Sequence, residues 1–375
     1  MKIVILGTAH PYRGGLAAFN ERLAKEFARE GHEVMISNFT LQYPSIVFPG
    51  KSQYTDEPAP EGLKIERMFS SVNPFRWYSC GKKLRAMAPD ILIVKYWLPF
   101  MAPAFGTICR EVKKNGRTKV ICIADNIIPH EHRIGDRALT KFFSRCVDGW
   151  VAMSREVYGD IRTVVGECRR VLAAHPVFDN YGEVISRKKA LEILDLDEKY
   201  RYMLFFGFIR SYKGLDLLLK ALAEPELKAR KNLKLIIAGE FYGDSSPYFK
   251  IIGDYGIEDR VILRTDYIPN DRINSFFCAA DIIVQPYKSA TQSGVTQIGY
   301  HFGKPMLVTN VGGLPEIIAD GESGYVVEPS SQEIAKAIAD FYDNDRYDAF
   351  AAKTVERRSL FSWSRITEAI LKNVE

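Results

Sequence analysis

FFGFIRSYKGLDLLLKAL, residues 205–222, decides the fold. An apolar run ends at a glycine, two cations stand in a short polar loop, and Leu215, Leu218, Leu219 and Leu222 then recur at helical spacing. A strand feeding a helix through such a loop is the building unit of a parallel sheet, which holds ligands at the carboxyl ends of its strands. Arg210 and Lys213 stand on that loop beside a helix N-terminus, where a diphosphate is well held. A solvated basic turn is the blander alternative, and the position just past an apolar strand makes it the weaker one.

The same unit recurs on both sides. Downstream come LKLIIAGE (233–240), a helix from about Ser246, RVILRTDY (260–267), a helix from Asn270, ADIIVQPY (280–287) and PMLVTNVGG (305–313). A helix starting near Ser293 would offer the backbone amides of Ser293, Gly294 and Val295, with the hydroxyls of Ser293 and Thr296, to a phosphate. VGGLPE (311–316) reads as the start of a further helix. Upstream, KIVIL (2–6), a helix from Leu16 to Glu30, EVMISNF (33–39), DILIVKY (90–96), TKVICIAD (118–125) and DGWVAMS (148–154) show the same alternation. The loop GTAHPYRGG (7–15) joins the first strand to the first helix, and its Gly14 and Gly15 would let a ligand approach the backbone; a strand-to-helix turn needs glycines structurally just as often. It is not GxGxxG, and no acid closes the second strand, so a nicotinamide enzyme is disfavoured.

With 375 residues, 47% of them apolar, the chain has material for two cores. HPVFDNYGEV (175–184) carries neither period, which puts the crossing between domains 1–176 and 177–359 there; a last helix at about 360–375 is expected to return to the first domain. The segment from Tyr43 to Pro60 reads as a long loop. Six scattered cysteines without a CxxC pair read as buried thiols. A net charge of +5 suits an anionic substrate or membrane surface, and without a dense basic stripe nucleic acid is not an expected partner. KIVIL comes directly after the first residue without a signal-peptide layout, and no apolar run reaches spanning length, so a cytoplasmic location is expected, with peripheral membrane association left open.

In this order, RSYKG after a strand, the GKP turn at 303–305, VGGLPE, the first glycine loop and the GHEV turn at 31–34 resemble the retaining family-4, or group 1, glycosyltransferases. The resemblance covers nearly the whole chain. It implies the α/β GT-B fold, two Rossmann-like doubly wound domains facing across a cleft. It further implies a nucleoside-diphosphate sugar held chiefly by the second domain and a glycan or lipid-linked acceptor held by the first. By it Arg210 and Lys213 contact the pyrophosphate, Gly14 and Gly15 close over the donor, and Tyr267 lines the nucleobase pocket. Where many members carry two glutamates, this chain has Ala290 and Ile298; Gln292 and Gln297 are the nearest polar substitutes. Where the family often has a histidine, this chain has Asp125, with Asn126, His130 and Glu131 close behind.

Asp125 and His130 are the candidate catalytic groups on the acceptor side, set against an Asx turn and a surface histidine. The aromatics of NPFRWY (73–78) and KYWLPF (95–100) fit an acceptor groove, a membrane surface or ordinary core. DxD occurs at Asp195–Asp197 and Asp343–Asp345, both in polar stretches away from strand ends, and no metal-ligating cluster is evident. The expected activity is therefore metal-independent and cofactor-free hexosyl transfer, as in polysaccharide biosynthesis, with the nucleotide sugar as substrate. A sugar-nucleotide epimerase of similar fold and a non-catalytic nucleotide-sugar binder are the competing readings.

Overall fold

The protein is described from a computed structural model, in which residues 1–44, 48, 52–128 and 134–374 are defined. The chain divides into two compact units, Met1–Pro176 with Ser362–Glu375, and Val177–Phe361.

In the first unit the strands are β1 (Lys2–Leu6), β2 (Glu33–Leu41), β3 (Lys64–Ser70), β4 (Ile91–Tyr96), β5 (Lys119–Ala124), β6 (Gly149–Ala152) and β7 (Arg170–Leu172). They form one sheet in the order β3-β2-β1-β4-β5-β6-β7, and every described pairing is parallel. Parallel strands need crossovers, and the sequence supplies them as amphipathic helices. The helices Pro74–Met87, Ala102–Lys113, Asp136–Ser144 and Arg155–Val165 pack as a row in which each touches the next. Val4, Leu6, Leu92, Val94, Val120 and Cys122 point into the core shared with that row. Because side chains alternate across a strand, Ile3, Ile5, Ile91 and Ile93 face the other side and are just as buried.

The final helix, Trp363–Lys372, pairs with Gly15–Arg29. Trp363 is buried with its ring 5.1 Å from that of Phe19, and the Arg22 guanidinium lies 5.0 Å above it. Thr367 donates to Glu30 Oε1 at 2.7 Å, and Asn373 donates to the Trp150 carbonyl at 2.8 Å. Asn373 also fills the space at Gly149, where an added Cβ would lie 2.7 Å from its side chain.

The second unit repeats the plan with β8 (Arg201–Phe206), β9 (Leu233–Ala238), β10 (Val261–Arg264), β11 (Ile282–Gln285), β12 (Met306–Thr309) and β13 (Gly324–Val327), in the order β10-β9-β8-β11-β12-β13. Its described pairings are parallel as well. The strand order reverses between β1 and β4 in one sheet and between β8 and β11 in the other, and each reversal opens a crevice at the carboxyl edge. One expected helix is absent: VGGLPE forms only a 3₁₀ turn, Leu314–Glu316, because the chain must turn again at Gly321 to enter β13. The six cysteines are free thiols, five of them buried.

Trp363→Ala should remove one of the largest contacts between the last helix and the first unit, costing about 3–5 kcal/mol. Hydrogen exchange is expected to show the loss across Gly15–Arg29 and β1, with the amides of β8 and β9 unchanged.

Candidate functional site

The crevice of the second sheet is built on glycines. β8 ends at Phe206, and Gly207 turns the chain with φ +97°. Gly214 has φ +68°, and a Cβ added there would fall 1.8 Å from the Pro286 carbonyl oxygen. The loop after β8 and the loop after β11 therefore meet backbone to backbone, which only glycine permits. At Gly239, φ +135°, a Cβ would fall 2.3 Å from the Gly207 carbonyl oxygen, so the loop after β9 is drawn in as well. Ile209 donates to the Glu240 carbonyl at 2.8 Å and Tyr242 donates to that of Ile209 at 2.9 Å, which continues the β8–β9 pairing past the strands.

These loops present Arg210 and Lys213, both half-buried. Lys213 ends the 3₁₀ turn Ser211–Lys213; its Nζ lies 5.4 Å from the centre of the Tyr287 ring and would be 3.1 Å from a Cβ at Gly207. The Arg210 guanidinium lies 5.1 Å from the centre of the Tyr242 ring. Among the described residues neither cation has a carboxylate in ion-pair reach. Burial lowers the pKa of Lys213; the neighbouring Tyr212 opposes this and the charge of Arg210 adds to it. Lys288, on the loop after β11, is engaged: it pairs with Asp216 at 2.8 Å. The buried Lys304 of the GKP turn lies at the opposite, amino edge of the sheet, where it donates to the Cys278 and Ala280 carbonyls at 3.2 and 2.9 Å.

The helix Gly294–His301 starts as expected, with Ser293 at its N-cap, but it turns more of its polar groups on itself. Ser293 Oγ donates to Gln285 Oε1 at 2.6 Å and accepts from the Val295 amide at 3.2 Å, and Thr296 Oγ1 donates back to the Ser293 carbonyl at 2.5 Å. Capping thus removes both hydroxyls and the Val295 amide from ligand duty, and the amides of Ser293 and Gly294 remain. Gln297, on the same helix, is 0% exposed, and its side-chain amide has no hydrogen-bond partner among the described residues. Gln292 is half-buried on the loop after β11, and Tyr267 is half-buried on the loop after β10, at the same carboxyl edge. Ala290 and Ile298 are buried and apolar, so the positions where the family resemblance suggested glutamates carry no charge.

In the first unit the loop 7–15 is tied down by polar contacts. Asn38 accepts from the Ala9 amide at 3.2 Å and donates to the Ala9 and His10 carbonyls, both at 2.8 Å, while Glu21 accepts from the His10 amide at 2.6 Å. Gly14 caps the first helix at φ +100°, and Gly15 is exposed at its start. Asp125 lies just past β5 and forms an ion pair at 2.7 Å with Lys95, near the end of β4. The Lys95 side chain is 2% exposed and that of Asp125 13%, and the ammonium sits 3.4 Å above the Phe19 ring. Burial lowers the pKa of Lys95, with the Asp125 charge opposing. His175 packs edge-on against the same ring, and burial, reinforced by the Lys95 charge, pushes its pKa down to about 3, so it is neutral at pH 7. His130 and Glu131 lie outside the described residues.

Two sheets with reversed crevices and a cation-bearing loop at one of them agree with the comparisons to known proteins. Residues 186–357 match the family described as glycosyl transferases group 1. The match lies within the second unit and spans most of it. Two curated D-inositol 3-phosphate glycosyltransferases are similar: that of Corynebacterium aurimucosum is 31% identical over 166 residues, 43% of this chain and 39% of that protein. That of Streptomyces scabiei is 27% identical over 378 residues, 93% of this chain and 83% of that protein. The match thus spans well under half of the first relative's length and most of the second's. Among solved structures, Anabaena HepE in complex with UDP superposes with TM-score 0.75 at 15% identity, covering 100% of this chain and 99% of that one; HepE was also solved with UDP-glucose. At that identity the likeness shows the fold, which is GT-B.

Tyr242, Tyr287, Lys95 and the glycines 207, 214 and 239 went unnoticed in the sequence. Lys95 left a trace there, a charge inside the otherwise apolar strand DILIVKY, which a central strand keeps only when it is paired. Lys95→Ala should remove the buried ion pair with Asp125 and cost about 3–5 kcal/mol, whereas Lys95→Ala with Asp125→Ala should cost less than the sum of the two single changes. Urea unfolding of the four proteins measures the cycle.

Proposed function

We propose that this protein is a glycosyltransferase that moves a hexosyl group from a nucleoside-diphosphate sugar to a glycan or lipid-linked acceptor, with retention of anomeric configuration. The observation that carries the reading is the pair Arg210 and Lys213, held on the switch-point loop of the second sheet with no carboxylate in ion-pair reach among the described residues. In transfer the bond between the anomeric carbon and the diphosphate oxygen breaks, and that oxygen leaves with added negative charge. The two cations and the Ser293 and Gly294 amides are proposed to stabilise it, an effect that grows in a site screened from water. The acceptor oxygen bonds to the same carbon and gives up its proton to the departing diphosphate oxygen. Asp125, fixed by Lys95, is proposed to orient that oxygen.

UDP and UDP-glucose bound to HepE support a nucleotide-sugar donor, and the inositol-phosphate relatives support a polyol or sugar hydroxyl as acceptor. In this reading the transfer needs no metal ion or other cofactor, because Arg210 and Lys213 take the charge role. The two DxD segments serve structure: Asp197 pairs with Lys199 at 2.7 Å, Asp343 pairs with Arg230 at 2.6 Å, and Asp195 ends a helix in the left-handed conformation. Among the described residues no helix is long and apolar enough to cross a membrane. A peripheral contact has one support, the outward face of Pro74–Met87, where Phe75, 87% exposed, stands with exposed Arg76, Tyr78 and Lys82.

In a thermal-shift panel of UDP-, GDP- and ADP-sugars, one nucleotide class should stabilise the wild type, and Arg210→Ala and Lys213→Ala should abolish that shift. Equal responses from the variants would move the donor site elsewhere. Because burial makes Lys213 shed its proton more readily than an ordinary lysine, donor affinity should begin to fall with rising pH earlier than an ordinary lysine would dictate, and Lys213→Ala should flatten that dependence. Asp125→Asn should depress turnover with acceptor while leaving the donor Kd within about twofold of wild type. Unchanged turnover would remove Asp125 from the chemistry, and isomerised donor without acceptor would point to an epimerase.

A further inference from the structure

The two cations of the crevice differ from their neighbour Lys288 in what holds them. Lys288 is pinned by Asp216, so its positive charge is already answered within the fold. Arg210 and Lys213 each face the ring of a tyrosine instead, at 5.1 Å and 5.4 Å from the ring centre, inside the range over which an aromatic face attracts a cation.

Both tyrosines are themselves fixed by contacts unrelated to the cations. Tyr242 is bound through its amide to the Ile209 carbonyl, next to Arg210 in the chain, and its ring lies 4.2 Å from that of Phe208 at 30°. Tyr287 is buried; its carbonyl accepts from Thr309 Oγ1 at 2.5 Å, its hydroxyl lies 3.4 Å from Ser293 Oγ, and the Tyr212 ring meets it edge-on. An aromatic face restricts where a cation sits without neutralising it. A carboxylate in the same place would have to be outcompeted by each arriving phosphate.

We propose that Tyr242 and Tyr287 are positioning residues of the donor site, holding Arg210 and Lys213 through their ring faces so that both charges stay available to a nucleoside diphosphate. This rests on the reading of the crevice as a nucleoside-diphosphate site. It adds that the ring of each tyrosine, rather than its hydroxyl, sets diphosphate affinity.

Calorimetric titration of UDP, GDP and ADP into the full-length wild type and into Tyr242→Phe, Tyr242→Leu, Tyr287→Phe and Tyr287→Leu tests it. The phenylalanine variants keep the face and should bind within about twofold of wild type, while each leucine variant should raise the diphosphate Kd about 3- to 30-fold. Affinity for the corresponding nucleoside, read by competition, should stay the same in all four, which a general distortion of the crevice would not allow. Leucine variants that bind like wild type, or phenylalanine variants that lose as much as leucine, would overturn the proposal. If the wild type binds none of the three diphosphates, the donor-site reading itself falls. Tyr287 is buried, so each variant is also checked by thermal unfolding; Tyr242, half-exposed, decides the matter should Tyr287→Leu fail to fold.

Discussion

At Gly214 a backbone lies so close to the carbonyl of Pro286 that no side chain fits between them. The rest of the second crevice depends on that contact. It sets the loop after β8 against the loop after β11, which carries Lys213 over Tyr287 and puts Ser293 at the start of its helix. A similar approach of Gly239 to Gly207 draws in the loop after β9 and with it Tyr242, the partner of Arg210. The sheet fixes where the strands end, and the glycines decide how tightly the loops beyond those ends can pack.

The two units use buried cations in opposite ways. Lys95 is almost wholly inside, and its charge is balanced by Asp125 and the face of Phe19, so the energetic cost of desolvation is met within the fold. Lys213 bears part of the same cost with no carboxylate in reach among the described residues, and burial makes it hold its proton more loosely. A protein keeps an unbalanced, partly buried charge at a measurable loss of stability. An anionic ligand would return that loss, and this ties the fold of the crevice to its proposed work.

What the sequence revealed tracks burial. The central strands β1, β4, β5, β8, β9 and β11 are apolar on both faces and stand out as continuous runs, whereas β3, β7 and β13 went unread. All three lie at sheet edges, where one side faces solvent or chain ends: β3 opens with an exposed lysine, β7 has three residues, and β13 is half-buried. Arg210 and Lys213 were legible because their meaning depends on a neighbour a few residues away. Tyr242 and Tyr287 were not, since they are separated from their cations by dozens of residues. Nor could the sequence tell that Ser293 and Thr296 would turn their hydroxyls inward, a choice made by Gln285 and by helix capping.

The last helix belongs to the first unit although the whole of the second unit is encoded before it. On a ribosome, residues 177–361 therefore emerge as a complete segment before Trp363, the residue that covers Phe19 of the first unit. Premature termination just past residue 361 would yield a finished second unit attached to an unfinished neighbour, a product that quality-control machinery can recognise by its bare apolar face.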